Sequence, residues 1–227
     1  MQRLTPFRRA FSQIQPVEIG KQVLLTKDGL RGIVRRKLED LPVHIKEKRS
    51  DSLSKEFIDT NIFKYCQRFA IYQGSPLLVN TDKIILSLFE NDKDVYIPIR
   101  SRQGEIDLVK QNLSDVNSQT DPVRLKFKAS LKRANALSDG GVDVIVIPGL
   151  AFTRDGYRLG NGMWKFDKFL QKYFRVCPKR YAEDMPLAAK IEKHKTILIG
   201  LALEEQIIPR NQMPLERQRK LDLVFIA

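Results

Sequence analysis

Two short runs of almost unbroken apolar residues constrain the fold of this chain most. They are VDVIVIPG at 142–149 and KTILIGLAL at 195–203. A strand with one solvated face alternates apolar and polar side chains, so runs this uniform predict strands that are buried on both faces. Two further strands are predicted at 67–73, QRFAIYQ, and at 93–99, KDVYIPI. A sheet made of such strands needs a covering layer on each side.

Segments with helical periodicity lie between these predicted strands. KDGLRGIVRRKLEDL, at 27–41, places its apolar residues on one helical face. A polar helix is predicted around 50–60, and another helix at 81–92 begins with the cap-like pair Thr81-Asp82. Buried strands that alternate with helices predict a single three-layer α/β domain, Rossmann-like, with a mainly parallel sheet and helices on both faces. We assign this domain to residues 26–227.

The net charge of the chain indicates the class of its partner. Its 40 lysines and arginines outnumber 27 acids, which gives a formal charge of +13. A domain this basic is expected to bind polyanions such as RNA. The alternative is a basic protein of the mitochondrial matrix that binds no RNA. No apolar run approaches the length of about 20 residues that crosses a bilayer, so no membrane partner is expected.

Residues 1–25 have the character of a mitochondrial leader. The first 17 residues contain Arg3, Arg8 and Arg9 but no acid, and Leu4, Phe7 and Phe11 recur at helical spacing. An amphipathic, arginine-bearing, acid-free start is typical of a transit peptide, here cleaved after Phe11. The pattern predicts the mitochondrial matrix. A disordered basic tail on a cytosolic protein is the alternative.

Two basic insertions, at about 102–140 and 175–195, interrupt the alternation of strands and helices. The first contains VRLKFKAS at 123–130, in which cations alternate with Leu125 and Phe127. A strand with this alternation carries its cations on one face. An ordinary solvated face is the alternative to a phosphate-facing patch. The predicted RNA-binding residues are Arg124, Lys126, Lys128, Lys132 and Arg133.

Four segments carry a family resemblance. The first, at 142–162, is VDVIVIPGLAFTRDGYRLGNG. It consists of an apolar strand, then Pro-Gly, and at its end, residues 156–162, a Gly-x-Arg-Leu-Gly-x-Gly pattern. It resembles the signature of the 5-formyltetrahydrofolate cyclo-ligases, also called methenyltetrahydrofolate synthetases. KDGLRG at 27–32, LIGLALEEQII at 198–208 and MPLERQRKLD at 213–222 resemble further segments of that family, in the same order. Because four segments match in order, the resemblance is stronger than one glycine-rich loop.

The resemblance implies a nucleotide-dependent ligase and names its site residues. In that family ATP phosphorylates the formyl oxygen of the folate, and a ring nitrogen then closes the new ring and expels phosphate. By resemblance, Lys27 and Arg31 would hold ATP phosphates, and Asp167 would support Mg²⁺. Arg158, Gly160 and Gly162 would shape the ATP loop. Without the resemblance, the same residues could be helix cations, a turn and a surface acid.

This chain departs from the family pattern at the same site. Trp164 stands where the family has the third glycine of its loop, and Lys165 replaces a tyrosine of the substrate site. Leu78 replaces the glutamate that contacts the folate. The segment 216–222 is one residue short and has cations where the family has a metal-supporting acid. These losses predict a degraded catalytic site on a preserved scaffold.

Two hypotheses about function follow. In the first, the chain is a catalytically degraded cyclo-ligase-like protein that needs no cofactor. It then binds RNA or a ribonucleoprotein as a structural or assembly component of the mitochondrial ribosome. In the second, it is an active ligase that uses ATP and Mg²⁺ to convert 5-formyltetrahydrofolate to 5,10-methenyltetrahydrofolate. A weaker third hypothesis keeps ATP as a structural ligand without turnover.

Overall fold

The structure of the chain is a computed structural model. It describes residues 18–19, 22–23, 26–101, 104–115, 125, 127, 133–162, 166–180, 182–214 and 219–227. Residues 1–17 of the leader and four cations of the predicted RNA patch therefore lie outside the described residues. Trp164, Lys165 and residues 215–218 also lie outside them.

The helices of the described residues follow the apolar periodicity of the sequence. They are α1 (Lys27–Asp40), α2 (Val43–Ile58), α3 (Asn61–Tyr65), α4 (Asp82–Glu90), α5 (Phe166–Val176) and α6 (Leu187–Glu192). α1 begins where the Thr26 hydroxyl accepts a hydrogen bond from the Gly29 amide, at 3.1 Å. None of the helices in this part of the chain is long and apolar enough to cross a membrane.

The main sheet has six strands in the order β10-β9-β6-β3-β4-β5. The strands are β3 (Arg68–Ile71), β4 (Asp94–Arg100), β5 (Ile106–Gln111), β6 (Val144–Val146), β9 (Ile197–Ala202) and β10 (Leu223–Ile226). Every neighbouring pair is parallel except β4 and β5, which are antiparallel. Two small antiparallel pairs are β1 (Glu18–Ile19) with β2 (Gln22–Val23) and β7 (Ala151–Phe152) with β8 (Arg158–Leu159). The predicted mainly parallel sheet is confirmed.

Helices cover both faces of the sheet. Successive residues of a strand point to opposite faces, so alternate residues of β3 pack against different helices. In β3, Phe69 and Ile71 pack in a core with α1, α2 and α4. Ala70, between them, packs in a second core with α5. Both cores are fully buried, which explains why the predicted strands show no polar alternation. The chain is thus a single three-layer α/β domain, as predicted.

Several elements differ from the sequence expectation. α2 begins at Val43 rather than near Ser50. The excursion at 102–140 contains β5, which forms the antiparallel end of the sheet. β10, which was not predicted, is the edge strand on the opposite side of the sheet and pairs with β9. The second insertion, 175–195, contains α6 and ends two residues before β9 begins.

Candidate active site

A cavity of about 570 Å³ opens at the carboxyl ends of the parallel strands. Tyr72 and Gln73, which follow β3, line one side of it, and Pro148 and Leu150, which follow β6, line another. From β3 the chain proceeds to β4 on one side, whereas β6, β9 and β10 lie on the other. The cavity therefore lies where the strand order reverses, which is the usual ligand site of open α/β sheets.

The wall of this cavity is mainly apolar and aromatic. Leu78, Pro98 and Phe166 contribute to it beside the residues already named. Tyr72 donates a hydrogen bond to the carbonyl of Val79 at 3.4 Å, and burial raises the pKa of its phenol, so the ring stays neutral. An apolar wall with a few polar groups suits a flat heterocyclic ligand.

The glycine segment, residues 160–162, meets the first turns of α1 at this cavity. The Arg31 Nε donates a hydrogen bond to the Gly160 carbonyl at 2.9 Å, across 129 residues of sequence. Gly162 has a φ of 84°, which favours glycine, and Asn161 lines the cavity. Lys27 lies one turn before Arg31, at the start of α1. Two cations at a helix start, next to a glycine segment, can bind an anionic phosphate.

Arg158 and Asp167 form an ion pair behind the glycine segment. The Arg158 Nη2 lies 2.7 Å from the Asp167 Oδ1, and the two side chains are 3% and 50% exposed. Burial lowers the pKa of Arg158, and the Asp167 charge opposes that shift. Asp167 lies in the first turn of α5, so its half-exposed carboxylate faces both the arginine and solvent.

Comparison with known proteins places this architecture in one family. The model of the 5-formyltetrahydrofolate cyclo-ligase family matches residues 25–226. The chain belongs to the 5-formyltetrahydrofolate cyclo-ligase family. A 5-formyltetrahydrofolate cyclo-ligase of Mus musculus is 29% identical over 210 residues, which are 88% of this chain and 92% of the mouse protein.

Two further relatives are a solved bacterial structure and a plant protein. The 5,10-methenyltetrahydrofolate synthetase of Aquifex aeolicus has a TM-score of 0.60 and 19% identity, over 88% of this chain and 89% of that one, and shows the same fold. A relative from Arabidopsis thaliana is named as a mitochondrial 5-formyltetrahydrofolate cyclo-ligase. It is 24% identical over 157 residues, which are 63% of this chain and 57% of the plant protein.

The structure brings together five of the residues that the resemblance assigned to ATP and Mg²⁺, whereas Lys27 is placed only at the start of α1. Arg31 contacts Gly160, an alanine carbon at Gly162 would lie 3.8 Å from the Arg31 guanidinium, and Arg158 contacts Asp167. Their roles toward phosphate and metal stay predictions. Within the described ranges, no group of three His, Cys, Asp or Glu residues could hold a metal ion. Mg²⁺ often takes only one or two carboxylates together with phosphate oxygens and waters, and the half-exposed Asp167 fits that arrangement.

Some of the residues that depart from the family pattern are described by the structure, namely Leu78, Arg219 and Lys220, whereas Trp164 and Lys165 are not. Leu78 lines the cavity, so this chain presents an alkyl group where the family pattern has an acid. Arg219 lies with its guanidinium 4.6 Å from the Phe174 ring centre, and the Lys220 ammonium lies 5.9 Å from that of Tyr157. Those two cations contact aromatic rings at a different, smaller cavity of about 320 Å³.

The predicted RNA patch is only partly described. Leu125 donates its amide hydrogen to the Asp82 carboxylate at 3.1 Å, and the Phe127 ring lies 6.0 Å from that of Phe89. Arg133 pairs with Asp115, with its Nη2 2.6 Å from the Asp115 Oδ1, and that carboxylate raises the pKa of Arg133. The patch of Arg124, Lys126, Lys128, Lys132 and Arg133 stays a prediction, and the charge of Arg133 is shared with Asp115.

Sequence reasoning missed Arg35, Glu39, Tyr72 and Gln73, which all line the cavity. A signal for two of them was present in α1. Its charged residues continue beyond Arg31 at steps of four, which keeps them on one face of the helix. The positions that follow β3 carry no such signal, because only the assembled sheet brings them to the cavity.

Proposed function

We propose that this chain is an ATP-dependent 5-formyltetrahydrofolate cyclo-ligase. One observation carries the proposal: an open cavity of about 570 Å³ at the carboxyl ends of β3 and β6. Its wall is mainly apolar but includes Arg35 and Asn161, and beside Asn161 the Arg31 guanidinium is bonded to Gly160. A site that had lost its ligand under selection for the scaffold alone is expected to fill with side chains, since interiors are close-packed. The mouse relative with this name supports the assignment.

The cationic end of the cavity suits the phosphates of ATP. Lys27 and Arg31 would neutralise phosphate oxygens, and the start of α1 adds the favourable end of its dipole. The hydrogen bond from Arg31 to Gly160 fixes the guanidinium before the nucleotide arrives. Fixed cations of this kind stabilise the charge that develops in phosphoryl transfer. Asp167 would hold Mg²⁺, which supplies further positive charge to the phosphates.

The apolar end of the cavity suits the folate ring. Tyr72, Leu78 and Phe166 would pack on the ring and exclude water from the formyl group. Once the formyl oxygen carries the phosphoryl group, the neighbouring folate nitrogen attacks the formyl carbon and inorganic phosphate leaves. Water in the cavity would compete with that nitrogen. The chain's contribution at this end is therefore orientation and exclusion of water.

A turnover assay tests the proposal. Purified protein, 5-formyltetrahydrofolate and Mg-ATP should form methenyltetrahydrofolate, followed by its near-ultraviolet absorbance, with parallel release of inorganic phosphate. A reaction without ATP is the control and should stay flat. Folded protein that forms no product, at an enzyme concentration comparable to that of the substrate, would reject the enzyme.

RNA binding without turnover is the second candidate, and the net charge of +13 favours it. The substitution of Leu78 at the cavity wall also weakens a folate site relative to the family pattern. In this proposal the chain is a structural or assembly component of the mitochondrial ribosome. Its basic surface, which includes the patch at 124–133, would bind rRNA phosphates.

Salt dependence of RNA binding tests this second candidate. The affinity for a structured RNA should fall linearly with salt on a double logarithmic plot. Replacing Arg124, Lys126 and Lys128 together by serine should lower the slope by up to about 3. A control variant with Lys37, Lys55 and Lys64 replaced loses the same charge from exposed helix positions. Equal effects of the two variants, or none, would leave the patch as a solvated face.

We also propose that residues 1–25 direct the chain to the mitochondrial matrix, a compartment that the name of the Arabidopsis relative supports. A reporter fused to residues 1–25 should enter mitochondria and be trimmed near Ser12. The control fusion carries serine at Arg3, Arg8 and Arg9 and should stay in the cytosol. A cytosolic, untrimmed reporter with the natural leader would contradict the compartment.

A further inference from the structure

One wall of the cavity is formed by α1, which presents charged residues from the glycine segment to the far side. Arg31 contacts Gly160 at one end, and Arg35 and Glu39 line the cavity at the next two steps of four residues. At 1.5 Å of rise per residue, Glu39 lies about 12 Å along the helix axis from Arg31. The helix therefore offers cations near the glycines and an acid at the opposite end.

Glu39 is the one carboxylate among the described residues that line this cavity. The other acids near the glycine segment already bind arginines. Asp28 lies 2.7 Å from the Arg31 guanidinium, and Asp167 lies 2.7 Å from that of Arg158. Glu39, in contrast, is exposed at the cavity wall, where an incoming ligand can reach it.

The chemistry of a folate calls for such a group. The pterin ring carries an amino group and an adjacent ring N–H, two donors side by side on one edge. A carboxylate accepts both in a bidentate arrangement, and charge-assisted hydrogen bonds of this kind are the strong ones. Leu78, at the position where the family has its acid, can accept neither. Without another acceptor, the two donors would be buried unpaired at a cost in affinity.

We propose that Glu39 binds the amino group and ring N–H of the pterin and so replaces the acid that is absent at Leu78. The inference rests on the proposed cyclo-ligase function and deepens it by naming the residue that selects a 2-amino-4-oxopteridine. The formyl group lies on the other ring of the bicycle, away from these donors. A pterin held at Glu39 therefore directs its formyl group toward Arg31 and Gly160, where the phosphates of ATP would lie.

This orientation also explains why the same helix supplies both ends of the site. α1 is a rigid spacer of 14 residues, packed through Leu30, Val34 and Leu38. Because one rigid element holds the cations and the acid, their separation is set by the helix rise and not by loop conformation. The acid at position 78 of the family pattern would lie outside α1, so the two arrangements differ in which element orients the ring.

Binding of 5-formyltetrahydrofolate to the full chain, measured by calorimetry, tests the inference. Glu39→Gln keeps the size of the side chain and one acceptor but removes the charge. Its Kd for 5-formyltetrahydrofolate should rise roughly 10- to 100-fold, the loss typical of a hydrogen bond to a charged group. The Kd for ATP and the thermal midpoint of unfolding should not change. Asp40→Asn, the neighbouring exposed acid that does not line the cavity, is the matched control and should bind like the natural chain.

The outcomes separate this inference from the proposed function. If the natural chain binds 5-formyltetrahydrofolate and Glu39→Gln binds within about twofold of it, the role of Glu39 is wrong and the cyclo-ligase stands. If both acid variants weaken binding equally, general charge and not Glu39 is responsible, and the inference is again overturned. If the natural chain, folded and binding ATP, binds no folate, the proposed function fails and the inference fails with it.

Discussion

Ion pairs with buried arginines at the amino and carboxyl ends of the parallel strands differ in how exposed the acid is. At the amino end, Asp143 precedes β6 and its Oδ2 accepts the backbone N–H groups of Gln67 and Arg68, at 2.9 and 2.8 Å. Its Oδ1 accepts from Arg180 at 2.8 Å. Arg180 also donates to the carbonyls of Gly140 and His194. The side chains of Arg180 and Asp143 are nearly buried, and their hydrogen bonds join the starts of β3 and β6.

At the carboxyl end, the acid of the charged pair is more open to solvent. Arg158 is almost fully buried, yet Asp167, which accepts its strongest hydrogen bond, is half exposed. Arg158 also donates to the carbonyl of Pro148, at a longer distance of 3.5 Å. The cavity of about 570 Å³ lies at this same end. The amino end therefore serves stability, whereas the carboxyl end leaves Asp167 half exposed at the end of the sheet where the cavity opens.

A second aspartate at the amino end makes the same kind of contacts at β9 and β10. Asp222 precedes β10, and its Oδ2 accepts the backbone N–H of Leu198 at 2.8 Å. Its Oδ1 lies 2.5 Å from the Nζ of Lys190, a lysine that is only 4% exposed. In both places an aspartate before one strand caps the start of its neighbour and pairs with a buried cation. Such pairs order the strand starts, because each carboxylate joins a backbone N–H of one strand to a cation of another segment.

The largest effect is expected from Asp143→Ala. The variant leaves two backbone N–H groups and the Arg180 guanidinium without their acceptor, and breaking a buried pair in this way costs about 3–5 kcal/mol of the free energy of unfolding. Urea denaturation measures it. Asp184→Ala, an exposed acid at the same end, is the control and should change stability by less than about 0.5 kcal/mol. A loss below about 1 kcal/mol for Asp143→Ala would erase the contrast between the ends.

The next effect is expected in turnover, from Asp167→Asn. If Asp167 supports Mg²⁺ on the phosphates, kcat should fall roughly 100- to 1,000-fold. Stability should fall by less than for Asp143→Ala, because the amide oxygen can still accept a hydrogen bond from the buried Arg158, although it no longer offsets the arginine's charge. Asp155→Asn is the matched control, since Asp155 is 46% exposed and also pairs with an arginine, Arg210. Equal loss of kcat in both variants would remove the special role of Asp167.

The sequence predicted the interior of the sheet better than its borders. β3, β4, β6 and β9 lie inside apolar runs whose lack of alternation follows from burial on both faces. β5 was missed because it is an antiparallel strand at the sheet border, where Asp107 and Lys110 interrupt the apolar pattern. The start of α2 was missed because its first turns are polar and follow Pro42, where the periodic signal of α1 has just ended.

The candidate site was predictable only where a residue pattern carried the chemistry. The resemblance named Arg31 and Gly160, which are 129 residues apart and joined by a hydrogen bond in the structure. No pattern indicated that Arg158 is buried, because arginine is usually exposed. The cavity wall at Glu39 and Tyr72 depends on how α1 and β3 meet, and that depends on tertiary packing.

A smaller effect is expected from alanine at two glycines with positive φ. Gly162, at the carboxyl end, has a φ of 84°, and Gly140, at the amino end, has a φ of 74°. Neither site is blocked by a close neighbour, so each alanine should cost about 1–2 kcal/mol of stability through backbone strain alone. If phosphates approach the glycine segment, only Gly162→Ala should also raise the Kd for ATP, by about fivefold or more. An unchanged Kd for ATP would separate the glycine segment from the nucleotide.

The smallest effect is expected from Glu204→Gln, which tests whether burial or distance makes the amino-end pair strong. Glu204 pairs with Arg154 at 2.8 Å, the same distance as the pair of Arg180 with Asp143. The side chains of Arg154 and Glu204 are 66% and 57% exposed, whereas those of Arg180 and Asp143 are 14% and 10% exposed. Water and salt screen an exposed pair, so Glu204→Gln should cost no more than about 0.5 kcal/mol in urea denaturation, and less at high salt. A loss similar to that of Asp143→Ala would mean that contact distance, and not burial with backbone hydrogen bonds, sets the difference between the two ends.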